Sequence, residues 1–233
     1  MEDRPTYDAW AQPPQEPPAP PPPPVIPWED PSRPWPAAFM ETIGAFVTHP
    51  QQAFERVPVR GDVLRPLVFA ILVGWIGQFF YAVYEVTFGE AMRAMLPGSA
   101  MAGAESVPRG YWFAMMALAP LLTGVGLVVS SVIAHLFLLL FGGARNGFAA
   151  TFRALCYVQV ATLAFVIPFC GALLVGIACI VFEIIGFSAL HRISLGKSAA
   201  AVLVPSLVCC ACVAVLVMLA GAAIMSTLGG LTP

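Results

Sequence analysis

His135, Gln159 and Glu183 are the residues of this chain best suited to chemistry inside a membrane. An imidazole, a carboxamide and a carboxylate stand in three different apolar runs. His135 lies six residues before Phe141 and Glu183 seven before Leu190. At ~1.5 Å per residue, each is roughly 10 Å from the end of its run. Gln159 lies at a comparable depth in a third run, with Thr162 one turn further along. Polar groups in hydrocarbon are expensive and turn toward the interior of a bundle. The expectation is a polar cluster in which His135 and Glu183 pair, directly or through Gln159 or water. Interhelical glue, at about 0.6–2 kcal/mol per hydrogen bond, is the preferred role; a proton or ion relay is the alternative. Gln78 and Glu85, seven residues apart on one face of the first run, are further polar candidates. Glu85 is near enough to a span end to reach headgroups.

No soluble-type catalytic constellation accompanies these groups. The chain has no nucleotide-binding glycine loop, no HExxH and no GxSxG. Its six cysteines are Cys156, Cys170, Cys179, Cys209, Cys210 and Cys212, and they belong mostly to apolar runs. They lack CxxC spacing and a neighbouring histidine, so they read as packing residues and not as metal ligands or a disulfide framework. No catalytic, cofactor-binding or metal-ligating set is expected, and no cofactor.

The elements that must hold the polar residues are five apolar runs, about 66–87, 111–141, 150–167, 171–190 and 199–228. About 20 apolar residues cross ~30 Å of hydrocarbon. A composition 59% hydrophobic and 10% charged is far from that of soluble domains. The fold class is therefore all-α, a five-helix transmembrane bundle whose main partner is the lipid bilayer. A net charge of −2 leaves no electrostatic footprint for nucleic acid. The second run is longer than a bilayer is thick, and Pro120, Gly124 and Gly126 offer a kink. Gly126, Ser130 and Ala134 repeat every four residues, a spacing that predicts close helix approach.

Before the first run come two further regions. Residues 1–36 read as a disordered proline-rich tail, with thirteen prolines among the twenty-four residues from Pro13 to Pro36. Such a tail favours polyproline II and serves as a spacer or as a ligand for a proline-binding module. Residues 37–57 carry Phe39, Ile43, Phe46, Val47, Phe54 and Val57 at helical spacing, broken at Pro50. They predict two short amphipathic helices lying in the membrane interface or packed on the span ends. An acidic N-terminus and a first apolar run beginning near residue 66 do not match a cleavable leader. Residues 229–233 form a short C-terminus.

Basic residues set the orientation. Arg56, Arg60 and Arg65 precede the first run, Arg145 and Arg153 flank the second loop, and Arg192 and Lys197 occupy the fourth. The positive-inside rule then gives a cytosolic N-terminus and an extracytosolic C-terminus. Gly142 and Gly143 end the second run as a glycine cap. Arg153, Arg192 and Lys197 are expected to anchor the spans at anionic headgroups, at about 1 kcal/mol each, and Ser198 to cap the fifth span. Ten arginines against one lysine, with abundant Ala, Gly and Pro, point to a high-GC bacterial genome and so to a bacterial cytoplasmic membrane.

From residue 37 to about 228 the chain resembles the Yip-domain family, the Ypt/Rab-interacting multi-pass proteins and their prokaryotic relatives. The resemblance rests on Gly142-Gly143 after a His-bearing span, Phe148, Thr151, Phe152-Arg153-Ala154 and Tyr157. It continues through Pro168, Gly171, Gly186, His191, Ser194, Lys197-Ser198-Ala199 and Pro205, with Pro50 and Arg65-Pro66 upstream. It implies five spans, a cytosolic N-terminus and a short extracytosolic C-terminus; the favoured function, from the residues as a whole, is a non-enzymatic interaction or membrane-organising module. The acidic-Leu-Tyr-Gly-Pro motif of eukaryotic members is absent before the first span. Val158-Gln159-Val160 also replaces the proline usual after the third-span tyrosine. These departures put small GTPase binding in doubt. A small transporter or channel using Glu183 and His135 is the alternative function, separable by whether a polar cavity joins both faces.

Overall fold

The structure, a computed structural model, describes residues 25–95 and 108–229. The proline-rich stretch up to residue 24, most of the first expected loop and the last four residues lie outside them. Among the described residues there are seven α-helices and no strand. They are α1 (Trp35–Thr48), α2 (Pro50–Glu55), α3 (Leu64–Met95), α4 (Arg109–Leu140), α5 (Gly147–Val158), α6 (Gly171–His191) and α7 (Leu195–Gly229). A 3-10 segment, Gln159–Val166, continues α5. Five segments are long and apolar enough to cross a membrane: Leu64–Gly89, Gly110–Leu140, Gly147–Val166, Gly171–His191 and Leu195–Gly221. This is the expected all-α five-span architecture, and the chain is a multi-pass membrane protein.

Because successive spans alternate in direction, the start of α3, the α4–α5 and α6–α7 connections and both amphipathic helices share one end. That end holds Arg56, Arg60, Arg65, Arg145, Arg192 and Lys197 and is called the basic end here. The core is concentrated there. Trp28, Phe39, Phe69, Tyr157, Phe46 and Phe54 form a continuous run of ring contacts, with centroids 4.8–5.9 Å apart. Aromatic pairs of this kind, edge-to-face, tilted or stacked, add about 0.5–1.5 kcal/mol beyond area burial. The chain breaks at His49–Pro50, as the proline predicts. α1 then buries Ala38, Thr42 and Phe46, and α2 buries Ala53 and Phe54. Val47, expected on the packed face, is instead exposed with Met40, which gives α1 a second apolar side turned away from the bundle.

The disorder expected over residues 1–36 does not extend through the last twelve of them. Residues 25–36 are folded against the basic end as a strap. Ile26 is fully buried, Pro27–Glu29 form a 3-10 turn and α1 starts at Trp35. Proline rigidity favours this, because a chain with few unfolded conformations loses little entropy on docking.

The third span is the axis of the bundle. In its most apolar stretch 61% of residues are buried, against 6% for the fifth span. It is not α-helical throughout. The tighter 3-10 winding rises ~2.0 Å per residue and stretches the span to about 34 Å, where a pure α-helix of that length reaches about 30 Å. The Thr162 hydroxyl donates to the Gln159 carbonyl at 2.7 Å and fixes the first tight turn. α3 lies directly on this segment. A Cβ on Gly77 would stand 2.6 Å from the Thr162 carbonyl oxygen, so only glycine fits. Of the small-residue repeat on α4, Ala134 packs against the core but Gly126 makes no close contact. Gly126 has open space beside it, and the inward stripe is Leu127, Ser131 and Leu138.

Candidate functional site at the basic end

α5 presents two polar faces. Arg153 and Tyr157, four residues apart, share one of them. The Arg153 guanidinium pairs with the Glu29 carboxylate and donates to the Asp62 carbonyl. The Tyr157 hydroxyl donates to Glu29 Oε1 at 2.7 Å. The side chain of Arg153 is 0% exposed and that of Glu29 10%. Arg153 therefore does not reach headgroups, as a free anchor would; the strap covers it and supplies its counter-charge. Further bonds seat the strap. Ile26 N–H donates to the Arg56 carbonyl at 3.2 Å, and Trp28 N–H to Thr42 Oγ1 at 2.9 Å. The Trp28 indole N–H donates to the Arg65 carbonyl at 2.7 Å, and the Arg65 guanidinium to the Glu29 carbonyl at 3.2 Å. Burial pushes the Glu29 carboxyl above its ordinary range; the Tyr157 hydrogen bond and the Arg153 charge offset only part of that. The next residue behaves oppositely. Ser32, through its hydroxyl and backbone N–H, holds half-buried Asp30 below the usual carboxylate range.

Thr151 lies on the other face of α5 and ties three elements together. Its hydroxyl is 2.8 Å from His135 Nδ1 on α4 and 2.9 Å from His191 Nε2 on α6. The Asn146 backbone N–H lies 3.3 Å from His191 Nδ1. A backbone N–H can only donate, so His191 Nδ1 accepts and its proton sits on Nε2. That proton goes to Thr151, and the Thr151 O–H then donates to His135 Nδ1. The result is a directed chain from the α4–α5 loop to the α4 helix.

The three intramembrane polar residues expected to cluster are thus held apart. His135 belongs to the threonine bridge. Glu183 faces a groove of about 430 Å³ between α4, α6 and α7, shared with Ser130, Ser206 and Cys209. Gln159 faces a different cavity, beside Gln78 on α3. Helix rotation explains the separation. Residues at one depth on neighbouring helices meet only when they point at each other, and depth alone was read from the spacing.

Gly142 and Gly143 do terminate α4. Gly142, at φ 65°, donates to the Leu139 carbonyl at 3.0 Å, and Gly143 donates to that of Leu138 at 2.6 Å, the paired bonds of a Schellman motif. Arg192 and Lys197 are exposed at the basic end. Arg192 ends α6 with φ 52°, a left-handed conformation usual for glycine. Ser198 does not cap α7; it is buried and donates to the Ile184 carbonyl at 2.6 Å, while Ser194 accepts from the Lys197 N–H at 3.4 Å. Glu29, Thr151 and His191 were not among the expected site residues. The i, i+4 spacing of Arg153 and Tyr157 was a usable signal for a shared face. No local pattern points from Glu29 to residues more than 120 positions away.

A family model described as the Yip1 domain matches residues 43–225. No curated protein matches the chain, and no solved structure does. The matched region contains Arg153, Tyr157, Thr151, His135 and His191, whereas Glu29 precedes it.

Proposed function

The chain belongs to the Yip1-domain family, and from that premise we propose that it is a non-enzymatic interaction or membrane-organising module of a bacterial cytoplasmic membrane. Its basic end faces the cytosol, and its proline-rich N-terminal segment is displayed there as the contact for a protein partner. The observation that carries this reading is the seat of Glu29 on Arg153 and Tyr157. A covered cation with its counter-charge holds the chain at one place, so whatever precedes residue 25 starts from a rigid mount and not from a loose span end. The acidic-Leu-Tyr-Gly-Pro motif of eukaryotic family members is absent before the first span, which argues against a small GTPase as the protein partner. A relay through His135 and Glu183 is the weaker reading, because Thr151 engages the imidazole while the carboxylate faces a separate groove.

Photo-crosslinking from the segment before residue 25, in native membranes, tests the proposal. Wild type should give discrete adducts, and Arg153→Met should give severalfold weaker ones. Removing one member of a buried pair costs about 3–5 kcal/mol, enough to release the strap. Identical adducts in both proteins, or cation flux into vesicles carrying the purified chain, would overturn it.

A further inference from the structure

Near the middle of the membrane, α3, α4 and the 3-10 segment enclose a cavity of about 280 Å³. Gln78 and Thr123, which line it, lie close to the midpoints of the spans Leu64–Gly89 and Gly110–Leu140. Gln159 enters from the third span. Neither carboxamide, nor the Thr123 hydroxyl, has a hydrogen-bond partner among the described residues. An unsatisfied polar group in hydrocarbon costs several kcal/mol, and two amides and a hydroxyl around one space call for a polar guest.

The lining contains no Asp, Glu, Lys, Arg or His. An ion or a charged headgroup would therefore lose its water and find no counter-charge. The cavity lies far from both aqueous faces, so a guest arrives more readily from lipid. The walls allow that. α4 packs closely on α5 and has little contact with the 3-10 segment, while both α4 and the 3-10 segment pack on α3. Leu122 on α4, itself exposed, and Phe165 on the 3-10 segment line the cavity across this gap. Its volume equals that of about nine waters, room for the polar end of an amphiphile whose chains stay outside. Glutamine amides both donate and accept, which suits a hydroxyl beside an ester carbonyl.

We propose that this cavity binds the uncharged polar end of a hydroxyl-bearing neutral lipid of the diacylglycerol class. Gln78, Gln159 and Thr123 supply the hydrogen bonds, and the cleft between α4 and the 3-10 segment admits the acyl chains.

Native mass spectrometry of the purified full-length chain, released from detergent micelles, tests this with dioctanoylglycerol and dioctanoyl-phosphatidylglycerol as probes. Wild type should form a one-to-one adduct with the neutral probe at concentrations at least tenfold below those needed for the anionic one. The Gln78→Leu/Gln159→Leu double variant should lose at least tenfold in binding the neutral probe only. It removes two unsatisfied amides from hydrocarbon, so its fold is expected to survive. No adduct with the neutral probe would mean that the cavity holds water alone and would overturn the proposal. So would equal binding of the two probes, or unchanged binding in the variant. Should the double variant fail to fold, the comparison of probes on wild type decides by itself.

Discussion

Thr151 shows how much a single hydroxyl can organise. It accepts from one imidazole and donates to another, and so joins α4, α5 and α6. Thr151→Val keeps the shape and removes both bonds, stranding His191 Nε2–H and His135 Nδ1. A loss of about 1–3 kcal/mol is expected, read as earlier thermal unfolding in detergent, and Thr151→Ser should restore most of it. Glu29 makes a prediction about pH. Its docked carboxyl is raised above the ordinary carboxylate range by burial, so docked Glu29 takes up a proton more readily than free Glu29 in the pH window between the two titrations. The docked state binds more protons within that window, and docking therefore weakens as pH rises through it and is fully present below it. Amide exchange at Ile26 and Trp28, corrected for intrinsic rates, should show protection at about pH 5 at least equal to that at pH 7. Release of the strap on acidification would contradict this.

The elements meet under tighter constraints than their hydropathy reveals. α3 lies against the 3-10 segment through Gly77, where a methyl group would meet the Thr162 carbonyl backbone at 2.6 Å. Backbone cannot rotate away as a side chain can, so Gly77→Ala should destabilise by about 1–3 kcal/mol. Gly126 on α4 is the matched control, with nothing within 4 Å of an added Cβ. Gly126→Ala should stabilise by about 0.5–1 kcal/mol through helix propensity. Unfolding both variants in the same detergent separates a packing glycine from an idle one. If the two substitutions gave equal effects, α3 would not rest on the third span as described.

Seen whole, the molecule is tightest at its basic end and loosest along α7, where residues 206–221 are all exposed. The aromatic core, the strap and the threonine bridge all lie where the positively charged loops gather. That distribution matches a protein whose working surface is one face of the membrane. Under the proposed orientation, with the loop arginines in the cytosol, reporter fusions before residue 25 and after residue 229 should report opposite compartments. Substituting glutamine for Arg145 and Arg192 should give a mixed population. Both termini on one face would mean four or six crossings and would refute the assignment.

Five crossings, the break at Pro50 and the glycine end of α4 were legible in the linear order of residues. Each depends on local physics: hydrocarbon thickness, a ring that fixes φ, and a left-handed cap. Arg153 and Tyr157 could be placed on one helix face for the same reason. Their partner could not, since Glu29 lies in a proline-rich stretch that looks disordered until the surface it docks on exists. The grouping of His135, Gln159 and Glu183 failed for a related reason. Spacing along a helix reports depth, but which side chains meet depends on how each helix is rotated about its axis. That rotation is decided by contacts such as Gly77 on Thr162 and Gly186 of α6 under the Phe54 ring, where an added Cβ would stand 2.9 Å from the ring, and these arise only when all the elements pack together.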